Sequence, residues 1–206
     1  MRYFKYLNET TGSTFKEASN IINKYIPKIM DDFQKLNWNI SDKNMLSTLN
    51  KYFRKDQVVF KTGKSEGPNN YNKTVQSGET FDTGKIEIIL LRGASKKISK
   101  HKNHFLEITQ NLFMRDIWDI LNHELIHKQQ AKKSKGKAFI DYYDLSNPIE
   151  YLSDPAEIEA FAQQAAIDIN RGIEEPKGLI LYQSFFSEDH PKIWKRFLKK
   201  LEFYLR

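Results

Sequence analysis

Residues 122–130 read NHELIHKQQ, and within them His123, Glu124 and His127 have the types and spacing of a metal-dependent hydrolytic centre. On an α-helix, residues i and i+4 lie one turn apart on the same face, so His123 and His127 can aim two imidazoles at one ion. Glu124 would not bind that ion. It would face a metal-bound water, take its proton and later pass it to a leaving amine. The chain contains no cysteine, so thiolate sites are excluded and any metal must be held by histidine and carboxylate. A plainer explanation competes: two surface or interface histidines, with Glu124 a solvated charge paired at i+4 with Lys128.

Catalytic zinc takes three protein ligands and keeps one position open, so a third donor must come from elsewhere in the chain. DPAEIEAFA supplies Glu157 and Glu159 at the start of another helical segment. Asp154-Pro155-Ala156-Glu157 also reads as a capping box, with Asp154 as N-cap, which gives Glu157 a structural explanation and leaves Glu159 as the alternative third ligand. The two flank the apolar stripe of Ile158, Phe161, Ala162, Ala165 and Ile169 on opposite sides. Amphipathicity therefore does not choose between them.

Helices at both ends and a short extended region in the middle must position these residues. Over 13–36, Phe15, Ala18, Ile21, Ile22, Tyr25, Ile29 and Phe33 recur at threes and fours, predicting an amphipathic helix that tolerates a kink at Pro27. Residues 41–55 predict a second helix with Met45, Leu46, Leu49 and Phe53 on one face, and QVVFKTG then reads as a strand. Segment 61–83 is rich in Gly, Asn, Ser and Thr and predicts a long loop or a pair of turns. Its KTGKSEG is no phosphate loop, because the glycine required five positions before Gly63 is Val58. KIEIILLRG, residues 85–93, predicts a strand, followed by a basic connector whose His101 and His104 read as solvent-exposed. The motif lies in a helix expected over 113–132, with Phe113, Ile117, Ile120, Leu121 and Leu125 as its core stripe. Another helix opens at SDPAEIEAFAQQAAIDIN. The C-terminal DHPKIWKRFLKKLEFYL should turn Ile193, Trp194, Phe197, Leu198, Leu201 and Tyr204 inward.

HELIH followed by a helix with Glu-x-x-Ala resembles the gluzincin branch of zinc metallopeptidases. The resemblance implies Zn2+ as cofactor, His123 and His127 as ligands, Glu124 as catalytic base, and Glu157 through Ala160 as the Glu-x-x-Ala element, which puts Glu157 ahead of Glu159. DPAEIEAFA and the later HPKIWKRFLKK are most similar to small uncharacterised metallopeptidase-like proteins of bacteriophages. The likeness is specific over 113–169. Such families often carry Asp or Asn directly after Glu-x-x-Ala to orient a ligand; this chain has Phe161, with Asp116 and Asp119 as local substitutes. They also run substrate antiparallel to an exposed strand beside the active-site helix, and KIEIILLRG is the candidate by chain order. Tyr142, Tyr143, Tyr151 and His190 are candidates for stabilising the oxyanion, each with packing as the competing role.

The implied fold is α+β and mainly helical, zincin-like, with a small sheet packed on the HExxH helix. No repeat or composition break divides the chain, so one domain is expected over 1–206, with 1–60 its helical N-terminal part and 85–206 its catalytic part. The implied function is a zinc-dependent peptidase that hydrolyses peptide bonds in a protein or peptide substrate with a water activated by Glu124.

Composition bounds the alternatives. With 39% hydrophobic and 13% aromatic residues the chain carries too much apolar material to be disordered. No run approaches the roughly 18 apolar residues of a membrane span, and the N-terminus lacks the apolar core of a secretory signal. The expected location is the cytoplasm, that of the host cell for a phage-encoded protein, with the virion as the other site. A net charge of +7 would suit nucleic acid, yet no recognition motif accompanies it, and abundant Lys, Asn and Ile with sparse Ala, Gly and Pro match an AT-rich coding bias. The alternative function is a non-catalytic basic protein, phage-encoded or virion-associated, that binds protein or nucleic acid.

Overall fold

Apolar residues at threes and fours wind 12–35 into α1 (Gly12–Lys35), which runs through Pro27 without interruption and buries Ala18, Ile21, Ile22, Tyr25, Ile29 and Phe33. The computed structural model describes residues 12–37, 39–64, 75–81, 83–95, 105–133 and 148–206; the side chains of Phe15 and Phe113 fall outside the described set. Helix α2 (Asp42–Phe53) starts where the Ser41 hydroxyl accepts from the Asn44 amide, and it buries Met45, Leu49 and Phe53. A single 3-10 turn, Arg54–Asp56, and a left-handed Gln57 then turn the chain into strand β1 (Val58–Thr62).

Two more strands, β2 (Val75–Thr80) and β3 (Ile86–Leu90), complete a sheet of order β1-β3-β2. β3 is parallel to β1 and antiparallel to β2, with Gly78 opposite Ile88 and Thr80 opposite Ile86. β2 corrects the expectation of a loop over 61–83. Its Gln, Ser, Gly and Glu show no apolar alternation, and an irregularity interrupts its register between Val75 and Ser77, so pairing with β3 holds it extended where its own pattern would not. The strand expected over 85–93 shortens to β3, which buries Ile86, Ile88 and Leu90 on one face. On the other, Glu87 meets the ammonium groups of Lys61 at 2.7 Å and Lys85 at 2.8 Å.

Helix α3 (Phe105–Lys133) begins well before the expected 113, because Thr109 and Asn111, weak helix formers, hide the extension. After it come α4 (Pro148–Ser153), α5 (Pro155–Asn170), α6 (Lys177–Phe186) and α7 (Pro191–Leu205). The sequence pattern does not announce α4, which is only six residues long, or α6, whose exposed Ile180 and Phe185 blur the stripe of Gly178, Tyr182 and Phe186. The described chain is mainly helical with one small sheet, an α+β fold, and none of its helices is long and apolar enough to cross a membrane.

The chain divides into two compact units, Glu17–Leu125 and a second formed by Ile126–Arg206 with the start of α1 through Lys16, and α3 continues through the division. In the first unit, Tyr25, Phe53 and Phe60 pack ring against ring, with centroids 5.3 Å and 5.0 Å apart. The Asn50 amide exchanges two 2.9 Å bonds with the backbone of Phe60 and so fixes β1 on α2. In the second unit, α5 packs against α7, α6 and α4 around Ile158, Ala162, Ala165, Tyr182, Phe186, Phe197 and Leu201. Gly178 lets α6 approach α5 closely: a Cβ there would lie 2.7 Å from the Phe161 carbonyl oxygen and 3.5 Å from Ala165 Cβ. On α7, Phe197 and Leu201 are buried and Ile193, Trp194 and Tyr204 pack at the edge. Leu198, expected inward, is exposed because it sits at the margin of that stripe.

Candidate metal centre

Seven consecutive residues of α3, from Leu121 to His127, are buried, so over two turns the helix has no solvated face. The relative exposures of His123, Glu124 and His127 are 8%, 5% and 4%, which rules out a solvent-facing pair of histidines with a solvated Glu124. Burying this many polar groups on one helix is costly unless they meet partners or a ligand.

The third member arrives on α5. Asp154 caps that helix, accepting from the amides of Ala156 at 2.6 Å and Glu157 at 3.3 Å, with Pro155 in the first turn. The cap thus holds Glu157 in the opening turn, where its Oε1 lies 3.1 Å from Nε2 of His127. Glu159 turns elsewhere: it accepts from the Tyr204 hydroxyl at 2.6 Å and pairs with Lys200 at 3.4 Å, both on α7. Burial, and then the Glu159 carboxylate, push the Tyr204 phenol above its usual range and keep it a donor. Among the described residues His123, His127 and Glu157 therefore form the buried group that could hold a metal ion, each offering a ligand atom within 4.8 Å of the others. The alternative, Glu159, is not part of it.

The proton on Nδ1 of His127 follows from its neighbours. Gln130 donates its amide N–H to the Ala156 carbonyl at 3.0 Å, and a carbonyl can only accept, so the Gln130 oxygen must face the other way. That oxygen is 2.8 Å from Nδ1 of His127, and Nδ1 must carry a proton. In the neutral ring, Nε2 then presents a lone pair to the Glu157 carboxylate, and two acceptors facing each other need a cation between them, a proton or a metal ion. Gln130 is the orienting partner that the sequence reading did not find. The only signal for it was its position three residues after His127, one turn along the same face. Asp119 is buried one turn before His123 and Asp116 is half-buried.

Glu124 is held from the sheet. The Thr80 hydroxyl lies 2.7 Å from its Oε2 and 2.9 Å from its backbone carbonyl oxygen. Gly78, on the same face of β2, leaves room for the side chain: a Cβ there would be 2.6 Å from Glu124 Cγ and 2.7 Å from its Oε1. The strand beside Glu124 of α3 is thus β2. KIEIILLRG forms the central strand, hydrogen-bonded on both edges, and cannot offer an exposed edge to a substrate.

Of the oxyanion candidates, Tyr151 packs against the α5–α7 core and His190 precedes α7 with its ring against Phe186 at 5.8 Å. Tyr142 and Tyr143 lie outside the described residues, as do His101 and His104.

The donor set suits a borderline divalent cation. Tetrahedral bonds of about 2.0–2.2 Å place donor atoms roughly 3.3–3.6 Å apart, and the 3.1 Å between His127 and Glu157 is near that span. Two imidazoles and one carboxylate, with no sulfur, leave a fourth position for a small ligand. Compared with protein-family models, curated proteins and solved structures, the chain has no match.

Proposed function

We propose that this protein is a zinc-dependent peptidase of the gluzincin type, with His123, His127 and Glu157 as zinc ligands and Glu124 as general base. The observation that carries the reading is the His127–Glu157 pair, an imidazole nitrogen and a carboxylate oxygen 3.1 Å apart inside a buried group of three residues that could hold a metal ion. Two histidines and a carboxylate with one open position are the ligand set of hydrolytic zinc, and zinc imposes little geometric preference of its own. When bound, zinc supplies a Lewis acid that polarises a scissile carbonyl and acidifies water.

The chain's own residues do the rest. Glu124 follows His123 on α3, so its carboxylate can take a proton from the attacking water and return it to the nitrogen of the leaving amine. Gln130 holds the imidazole of His127 in the tautomer that turns Nε2 toward the site. β2 pairs only with β3 among the described residues, and its other edge can accept an extended peptide strand beside Glu124.

Elemental analysis of the purified protein tests the reading. About one zinc per chain is expected in the wild type, and His123→Ala and Glu157→Ala should each lose it. Glu124→Gln should keep the zinc and lose about 10²–10⁴-fold in peptide hydrolysis. A wild type that takes up no zinc when incubated with it sinks the proposal and leaves a basic binding protein.

A further inference from the structure

We propose that Thr80 is the positioning residue for Glu124 and that Gly78 provides the space it requires, so that the edge strand fixes the general base. This rests on the peptidase reading above. Residues 78 and 80 alternate onto one face of β2, the face toward α3. Gly78 lets the Glu124 side chain lie against bare backbone, since a Cβ would reach within 2.6 Å of Glu124 Cγ and of Ile120 Cγ2. Two residues on, the Thr80 hydroxyl sits between Glu124 Oε2 at 2.7 Å and the Glu124 carbonyl oxygen at 2.9 Å.

A hydroxyl has one proton to give and two lone pairs with which to receive. While Glu124 is ionised, the charge-assisted bond to Oε2 is the stronger, and the proton goes there. Once Glu124 has taken a proton from water, its carboxylic O–H can donate to the Thr80 oxygen, while the hydroxyl proton swings to the carbonyl. Thr80 therefore stays bonded to Glu124 before and after the transfer. A lysine ammonium in its place could only donate and could not receive the carboxylic proton, and a carbonyl could only accept and could not bond the ionised form. The carboxylate is kept in register while it accepts a proton and while it returns one. A valine, of the same shape, fills the space and holds neither form.

The test compares wild type, Thr80→Val, Thr80→Ser and Gly78→Ala on a fluorogenic peptide selected from a random library with the wild-type enzyme. Zinc content is measured on each preparation. Thr80→Val should lower kcat about 10- to 100-fold, leave KM within about twofold and keep its zinc, while Thr80→Ser should recover most of the loss. Gly78→Ala should fall in the same direction, because the added methyl displaces Glu124. Wild-type kcat in Thr80→Val overturns the proposal, and so does a loss of zinc in Thr80→Val that Thr80→Ser does not repair, which would mark a structural role. A wild type with full zinc that cleaves no peptide in the library overturns the peptidase reading first and this proposal with it. Those arms are told apart by whether the wild type is active.

Discussion

The middle of α3 and the length of α7 bury themselves in opposite ways. On α7 the buried residues are Phe197 and Leu201, the basic residues are all exposed, and the helix follows the ordinary division into an apolar and a charged face. On α3 the buried residues include Asp119, Asn122, His123, Glu124 and His127. Among the described residues neither side-chain atom of the fully buried Asn122 amide has a hydrogen-bond partner. An apolar helix face is explained by stability alone. A polar face buried to the same degree lowers stability, and its position around a group that could hold a metal ion gives it a chemical reason to exist.

That contrast can be broken most forcefully at Phe197, which stacks on Tyr182 with centroids 4.3 Å apart. Phe197→Ala should cost about 3–5 kcal/mol of folding stability in chemical denaturation. The zinc stoichiometry of the folded fraction should not change, and metal loss at temperatures where the variant is still folded would mean that the two surfaces are not separable. Gln130→Ala probes the other side. It removes the bond that sets the His127 tautomer and should weaken zinc binding about 10- to 100-fold in a competition titration with a chelator. Unchanged affinity would show that the Ala156–Gln130–His127 chain does not orient the ligand.

The smallest effect is expected at Glu87, a buried carboxylate whose partners are structural. Burial acts to raise its pKa, but the ammonium groups of Lys61 and Lys85 outweigh that and hold the carboxyl below its usual range. A carboxylate depressed on folding adds stability above its unfolded pKa, near ~4.3, and loses it as the pH falls through the folded value. Glu87→Gln should therefore cost about 1 kcal/mol at neutral pH and flatten the acid limb of the stability profile, since both lysines stay solvated. Equal acid sensitivity in the variant and the wild type would remove Glu87 from the account. The comparison with Glu157 is then sharp: one buried carboxylate faces two lysine ammonium groups, the other a histidine ring nitrogen.

Much of the helical framework was legible from spacing. The apolar stripes of α1, α2 and α7 predicted their buried residues because a 3.6-residue period is a local property of the chain. The histidine pair was legible for the same reason, since i and i+4 meet on any helix. β2 was not, because its polar sequence has no strand period and is held extended by β3. Gln130 and Thr80 were missed because their roles depend on a carbonyl of α5 and a carboxylate of α3, which no spacing rule connects to them.

The sequence by itself determined that any metal would be held by histidine and carboxylate, that His123 and His127 would share a helix face, and that Asp154 would start a helix with Glu157 in its first turn. Tertiary structure decided which glutamate faces His127. Glu157 and Glu159 lie two residues apart on one helix, about 200° around its axis, and so must face different neighbours. The packing of α7 against α5 gives Glu159 to Tyr204 and Lys200 and leaves Glu157 to the histidines. Helical periodicity is local, whereas the identity of the neighbour on each side is fixed only when the helices meet.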